Sequence, residues 1–246
     1  MKAVPIARQR LDQLLVERGL TDSREKARRL ILAGSVLVNG QKSGKPGESV
    51  PGDSRVDLIE RPPFVGRGGL KLEAALRHFS IDPSGKVCLD VGSSTGGFTD
   101  CLLQHGAPRV YAVDVGTGQL DWKLRNDPRV TVREGLNARY LSLDDIGERV
   151  DIAVCDVSFI SVTLILPALA PLLRDGGEMV ILVKPQFEVG RGQVGKGGIV
   201  RDPELRRSAC AKVERMVGSL GFQTDVFECP VPGAEGNREF LLHARR

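Results

Sequence analysis

Beyond Lys86 the chain passes through five short apolar runs, Val87–Leu89, Val110–Val113, Val130–Val132, Ile152–Val154 and Val180–Val183, separated by stretches with helical spacing. Runs this short with little polar alternation suit strands buried on both faces, so the pattern predicts a parallel sheet covered by helices on each side. A last long helix is predicted over about Pro203–Leu220. Two further runs follow, Phe222–Cys229 and Arg238–His243, joined by Pro230-Val-Pro-Gly233. A connection that short joins antiparallel neighbours, so the final strand is expected to run against the others. The predicted fold class is α/β, with a mostly parallel seven-stranded sheet of Rossmann-like type behind a smaller N-terminal module.

The first run feeds directly into Asp90-Val-Gly-Ser-Ser-Thr-Gly-Gly-Phe-Thr99. In open α/β sheets, ligands bind beyond the carboxyl ends of the strands, where strand order reverses, and this loop occupies such an end. Gly92, Gly96 and Gly97 form G-x-x-x-G-G, whereas a dinucleotide pyrophosphate calls for G-x-G-x-x-G. The departure favours a cofactor without a phosphate, S-adenosylmethionine, over NAD. Asp90, Ser93 and Ser94 join the glycines as candidate cofactor residues. Asp114, ending the second run, is placed to accept from ribose hydroxyls. Asn137, after the third, is a candidate for adenine and equally an ordinary loop asparagine. Without a ligand, the same glycine loop would read as a tight strand-to-helix turn.

Composition narrows the field. The 246 residues carry a net charge of +4, which permits a polyanionic partner without demanding one. Five scattered cysteines, with no C-x-x-C pair, read as reduced and buried, and three distant histidines offer no metal-ligand rhythm, so no metal is expected. Met1–Arg10 lacks the apolar core of a signal peptide. The segment Ile160–Leu173 is too short for a membrane span and is interrupted by Pro167 and Pro171. A cytoplasmic protein without a membrane partner is therefore expected; oligomeric state is not legible.

In the N-terminal sixty residues, Leu11, Leu14 and Leu15 recur at helical spacing before Gly19. Asp22 or Ser23 then caps a second helix, with Ala27, Leu30 and Ile31 inward and Arg24, Lys26, Arg28 and Arg29 crowded along it. Val36-Leu-Val38 followed by Asn39-Gly40 signals a type I′ hairpin. Charge alone reads as a solvated helix face. The sequences R-L-D-Q-L-L-V, S-R-E-K-A-R-R-L-I and G-x-V-x-V-N-G resemble the S4-like RNA-binding domain. That resemblance implies RNA phosphate contacts by Arg10, Arg24, Lys26, Arg28 and Lys42. Such contacts position a protein and carry little sequence information. Arg61-Pro-Pro-Phe64 then reads as a short stiff connector, giving domains at 1–60 and 67–246 with a linker at 61–66.

Four charged residues fall at one sheet edge in this topology. Asp156 ends the fourth strand, Lys184 ends the fifth, Glu239 stands near the start of the reversed last strand, and Lys71 opens the helix before the sheet. Each alone is an ordinary surface charge or ion-pair member; their shared edge makes them catalytic candidates. A ribose hydroxyl is a poor nucleophile, and a lysine freed of its proton can serve as its base. In this arrangement Lys184 is the base, Asp156 orients it, Lys71 supplies a neighbouring cation and Glu239 fixes Lys71 or the ribose. The run Gly190-Arg-Gly-Gln-Val-Gly-Lys-Gly197 meets G-x-x-x-x-G-K but lacks the Ser or Thr of a phosphate loop. It reads better as a mobile lid carrying Arg191 and Lys196 toward an anionic, RNA-like substrate.

The segments R-G-G-L-K71-L-E, D156-V-S-F-I-S, V-K184-P-Q-F-E and N-R-E239-F-L-L resemble the TlyA family of rRNA 2′-O-methyltransferases, also labelled hemolysin A. The resemblance implies a class I S-adenosylmethionine-dependent, FtsJ/RrmJ-like domain with a Lys-Asp-Lys-Glu tetrad at Lys71, Asp156, Lys184 and Glu239. It also implies cytidine 2′-O-methylation in large-subunit rRNA, and in some members small-subunit rRNA, on free rRNA or a ribosomal subunit. Arg61-Pro-Pro-Phe lacks the Trp of the family's R-x-W-[VS]-like linker. Base-amine methylation would call for an Asn/Asp-Pro-Pro-Tyr-type loop where this chain has Asp156-Val-Ser-Phe159. Carbon-5 methylation would need a nucleophilic cysteine, and strand alternation aims Cys155 away from Asp156. A membrane-damaging protein and an RNA-binding regulator with a vestigial methyltransferase fold are the alternatives from other classes.

Overall fold

The order of short apolar runs and glycine turns is realised as two units in the computed structural model, Met1–Pro62 and Pro63–Arg246. The structure describes residues 7–59, 62–233 and 236–246, apart from the side chain of Arg191. Arg61, first residue of the expected connector, lies outside the described residues, as does the Arg191 side chain expected to meet RNA.

The first unit comprises β1 (Arg8–Arg10), α1 (Leu11–Glu17), α2 (Arg24–Leu32), β2 (Val36–Val38), β3 (Gln41–Lys42), β4 (Ser49–Pro51) and β5 (Val56–Leu58). Its core gathers Leu11, Leu14 and Leu15 of α1 with Ala27 and Ile31 of α2 and Val36, Val50 and Val56 of the strands. Ser23 caps α2, its hydroxyl accepting from the Lys26 amide. Asn39 and Gly40 both have positive φ, at 50° and 80°, as a type I′ turn requires. The Asp12 carboxylate is buried and receives two donors from Arg10 (3.0 and 2.9 Å) and one from Arg24 (3.1 Å). Arg10 and Arg24 are thus half-exposed members of an ion cluster, not freely extended cations; Asp12, buried within their reach, claims part of each guanidinium. Lys26 pairs with Asp22 at 3.3 Å, while Arg28 and Lys42 are exposed.

The second unit opens with α3 (Gly68–Phe79) and continues through β6 (Val87–Val91), α4 (Gly97–Gln104), β7 (Arg109–Asp114), α5 (Trp122–Arg125), β8 (Val130–Glu134), α6 (Leu143–Ile146) and β9 (Val150–Cys155). There follow α7 (Leu166–Leu169), β10 (Leu173–Val183), α8 (Pro185–Glu188), α9 (Pro203–Ser219), β11 (Gln223–Glu228) and β12 (Phe240–Arg245). The sheet order is β11-β12-β10-β9-β6-β7-β8, with β12 antiparallel to both its neighbours. Alternate residues face opposite layers, as a period-two strand demands. Cys88, Ile152, Val154, Val180 and Leu182 pack on the side of α3 and α4, while Leu89, Ala153, Cys155, Ile181 and Val183 pack on the side of α7 and α9. Strand order reverses between β6 and β9, which puts the crevice between Asp90 and Asp156 at the switch point.

The prolines do mark the division between units, but residues 63–66 are no free linker. Phe64 is buried beneath α3, where a Cβ on Gly69 would stand only 2.3 Å from its side chain, and the Val65 amide donates to Asp100 (2.9 Å). Burial of the aromatic ring ties this stretch to the second unit.

The two arginines hold the Asp12 carboxyl down at about 2, against burial that opposes them. A depressed folded-state value stabilises the fold above the unfolded carboxyl's titration near 3.8 and loses that benefit as pH falls toward 2. Asp12→Asn is therefore expected to destabilise the first unit by about 1–2 kcal/mol at pH 7, discounted for the half-exposed arginines. Hydrogen exchange of the Ala27 and Ile31 amides in the full chain measures this. The gap from wild type should close between about pH 4 and about pH 2; a pH-independent gap would contradict the assignment.

Candidate active site

Two adjoining cavities open at the switch point. The larger, about 480 Å³, is lined by Val91, Gly92 and Ser94 at the end of β6, by Asp114–Gly116 and Gln119 at the end of β7, by Leu136–Arg139 after β8, and by Asp156–Ile160 after β9. The smaller, about 190 Å³, is more polar and includes Gly68, Ser93–Thr95, Gly97, Asp156, Ser158 and Lys184. Gly92, Ser94, Asp156 and Ser158 border both.

The glycines answer a local steric need. Gly92 has φ +85°, and a Cβ there would lie 2.6 Å from the Asp156 carbonyl oxygen; Gly96 has φ +99° and would strike Leu124. The loop thus crosses the switch point with backbone exposed to the cavity. Asp114 braces it, accepting from the Ser94 amide (2.8 Å) and the Gly116 amide (2.7 Å) while still lining the large cavity. Asn137 also lines it, its side chain accepting from the Arg139 amide. Sequence reasoning did not single out the apolar walls Val115, Leu136 and Ile160, nor Gln119; they stand in loops where no periodicity marks them.

Asp90 requires a correction. It is fully buried and lines neither cavity: one oxygen accepts from Thr99 (2.6 Å), and the other is buried without a partner. The strand's alternation turns it toward α4 instead of into the crevice. Burial pushes its carboxyl up to about 7. Gly92 and Ser94 line both cavities, Ser93, Gly97 and Thr95 the smaller alone, and Gly96 shapes the turn without lining either.

The four candidate catalytic residues form two ion pairs. Lys184 Nζ stands 2.5 Å from Asp156 Oδ1, and its aligned hydrogen bond goes to Ser158 Oγ (2.8 Å); the carboxylate contact is close without hydrogen-bond alignment. Lys71 Nζ lies 2.5 Å from Glu239 Oε2, with both side chains nearly inaccessible. A side chain on Gly233 would collide with the Glu239 carboxylate, so that glycine admits it. Of the four, only Asp156 and Lys184 line the cavities; the two lysines are buried alike, and the difference in exposure lies in the carboxylates, Asp156 being partly accessible and Glu239 buried. Ser158 is the residue that the sequence reading missed; the D-V-S-F segment held it, but a serine carries no signal of its own. Cys155 is buried on the opposite face, its thiol pushed up by desolvation. The glycine run 190–197 forms two single turns after α8 instead of a strand-to-helix phosphate loop, and Lys196 is exposed.

The FtsJ-like methyltransferase family profile matches residues 64–246, and the S4 domain profile matches residues 9–56. The chain belongs to the FtsJ-like methyltransferase family. It is 49% identical, over 96% of its length and 85% of the relative's, to a provisionally assigned rRNA methyltransferase, YqxC, of Bacillus subtilis (strain 168). It is 48% identical to the 16S/23S rRNA (cytidine-2′-O)-methyltransferase TlyA of Mycobacterium tuberculosis (strain CDC 1551 / Oshkosh), over 97% of this chain and 90% of that one. A solved chain from Streptococcus thermophilus, provisionally called a hemolysin, superposes with TM-score 0.74 and 45% identity, covering 98% and 90% of the two chains. A family member of this type is a methyltransferase whose donor is S-adenosylmethionine. The fit is physical: a mostly apolar cavity of suitable size, a glycine backbone that a Cβ would block, and Asp114 at the second strand end. Among the described residues no helix is long and apolar enough to cross a membrane.

Gly92→Ala tests the cradle, because it both strains a positive φ and drives a methyl against the Asp156 carbonyl. Titration calorimetry with S-adenosylhomocysteine should show affinity at least about tenfold weaker, consistent with strain of about 1–3 kcal/mol at such a residue. An unchanged Kd would remove the loop from the donor site.

Proposed function

We propose that the protein transfers a methyl group from S-adenosylmethionine to the 2′-hydroxyl of cytidine in large-subunit ribosomal RNA, with small-subunit rRNA as a second candidate substrate. The observation that carries this reading is the Lys184–Asp156–Ser158 group, set in a polar cavity that adjoins the donor cavity and shares Asp156 and Ser158 with it. Relatives named as rRNA (cytidine-2′-O)-methyltransferases support the substrate class.

When bound, S-adenosylmethionine supplies an electrophilic methyl on a sulfonium. Gly92, Ser93, Ser94 and Gly97 would hold it with backbone and hydroxyl groups, Asp114 would accept from its ribose hydroxyls, and Asn137 would serve the adenine end. The incoming RNA hydroxyl occupies the polar cavity beside Lys184. With one ammonium proton first lost to solvent, Lys184 Nζ takes the hydroxyl proton as the new O–C bond forms and the methyl–sulfonium bond breaks, leaving a neutral thioether, and Asp156 stabilises the resulting ammonium. Ser158 holds the amine's direction. Lys71 and Glu239 position α3 against the start of β12, and removing either would leave an uncompensated buried charge. Arg10, Arg24, Lys26, Arg28 and Lys42 engage RNA phosphates from residues 1–60, with Asp12 presenting the first two; Arg191 and Lys196 approach the same RNA from the segment after α8. The division of labour is RNA capture by residues 1–60 and chemistry by residues 67–246, in the cytoplasm where ribosomal particles are available. The membrane-damaging alternative is not favoured.

Lys184→Ala is expected to reduce methyl transfer to rRNA by at least about a thousandfold, in line with loss of a general base plus its oriented contact. Binding of S-adenosylhomocysteine and of RNA should stay within twofold of wild type. Tritium transfer from labelled donor measures the first and filter binding the second; normal turnover by this variant would sink the assignment of the base.

A further inference from the structure

Lys184 and Asp156 come from different strand ends, and their loops are joined a second time away from the reacting atoms. Glu188, the last residue of α8, turns a fully buried carboxylate back toward the loop that follows Asp156. Its Oε1 accepts from the Val162 amide (2.7 Å) and its Oε2 from the Ser161 hydroxyl (2.5 Å). Lys212, in the middle of α9, closes the group: its Nζ donates to Glu188 Oε2 (3.0 Å), to the Glu188 carbonyl (2.9 Å) and to Ser161 Oγ (3.1 Å). An ammonium has three protons, and all three are used here.

The segment so held is short and carries strain. Between Asp156 and Ser161 lie Ser158, which accepts from Lys184, and Phe159, which has φ +66° and is 92% exposed. A bulky residue in the left-handed region persists only where its surroundings over-determine it. Its ring meets little besides Phe187 of α8, with centroids 5.4 Å apart, so packing alone does not fix the loop. Glu188 fixes its far end, and the ion pair with Lys184 fixes its near end.

We propose that Glu188, Ser161 and Lys212 form a latch that positions the Asp156–Ser158 loop against Lys184, making Glu188 and Lys212 positioning residues for methyl transfer. This rests on the reading of Lys184 and Asp156 as the reacting pair. A relaxation of an ångström at such a site is enough to cost rate without weakening donor binding.

Lys212→Met, Lys212→Arg, Glu188→Gln and the Glu188→Gln/Lys212→Met double variant of the full chain test it. Two readouts are needed: exchange of the Val162 amide in the S-adenosylhomocysteine complex, and steady-state methyl transfer to rRNA with active sites counted by S-adenosylhomocysteine stoichiometry. In Lys212→Met and Glu188→Gln the Val162 amide should exchange at least about tenfold faster and kcat per active site should fall at least about tenfold, with KM for the donor within twofold. Lys212→Arg should recover most of kcat, and the double variant should be no worse than the poorer single, as for groups acting as one unit. Unchanged Val162 exchange, unchanged kcat per active site, or additive losses in the double variant would overturn the latch. A wild-type protein inactive on rRNA would overturn the substrate reading instead, and the exchange arm would still decide the latch.

Discussion

The contact on which the site depends is the approach of Gly92 to the Asp156 carbonyl, too close for any Cβ. It is where β6 and β9 leave the sheet side by side, in the register Val91↔Cys155, with the Asp156 amide donating to Val91. Because these strands diverge there, a crevice opens. Because glycine stands at that contact, the glycine loop and the Asp156 carboxylate share a wall between the two cavities. The two cavities adjoin for this reason.

The electrostatics follow the same division. Buried charges need partners, and most of those among the described residues have an ionic one: Asp12 with two arginines, Glu239 with Lys71, Lys184 with Asp156 and Glu188 with Lys212, while buried Asp100 accepts from the Val65 amide and Gln104. Asp90 departs from the pattern, with one oxygen satisfied by Thr99 and the other by nothing in the protein. Its burial under the glycine loop makes it a support for that loop.

Much of the fold was legible because strand and helix periods are properties of short windows. The five apolar runs became β6 to β10, and Pro230–Gly233 led to a reversed β12. Asn39-Gly40 and Ser23 announced their turn and cap through backbone chemistry that only a few residues satisfy. What the sequence could not carry were interactions between segments distant in the chain. Phe64 reads as linker until α3 is seen to cover it. Arg10 and Arg24 read as free cations until Asp12 is found within their reach. The four catalytic candidates share an edge, as topology implied, yet their sorting into two pairs depends on side-chain directions. Ser158 and Glu188 had no periodicity to reveal them.

In the proposed reaction the acceptor atom is a ribose oxygen held beside Lys184. The most direct measurement is the position of the transferred group: rRNA methylated by the purified protein with isotopically labelled donor, hydrolysed in alkali and resolved by mass spectrometry. A 2′-O-methyl blocks cleavage at its own nucleotide, so the label should emerge in an alkali-resistant dinucleotide with methylated ribose on cytidine. Label released on a mononucleotide base would show a base acceptor and contradict a ribose acceptor.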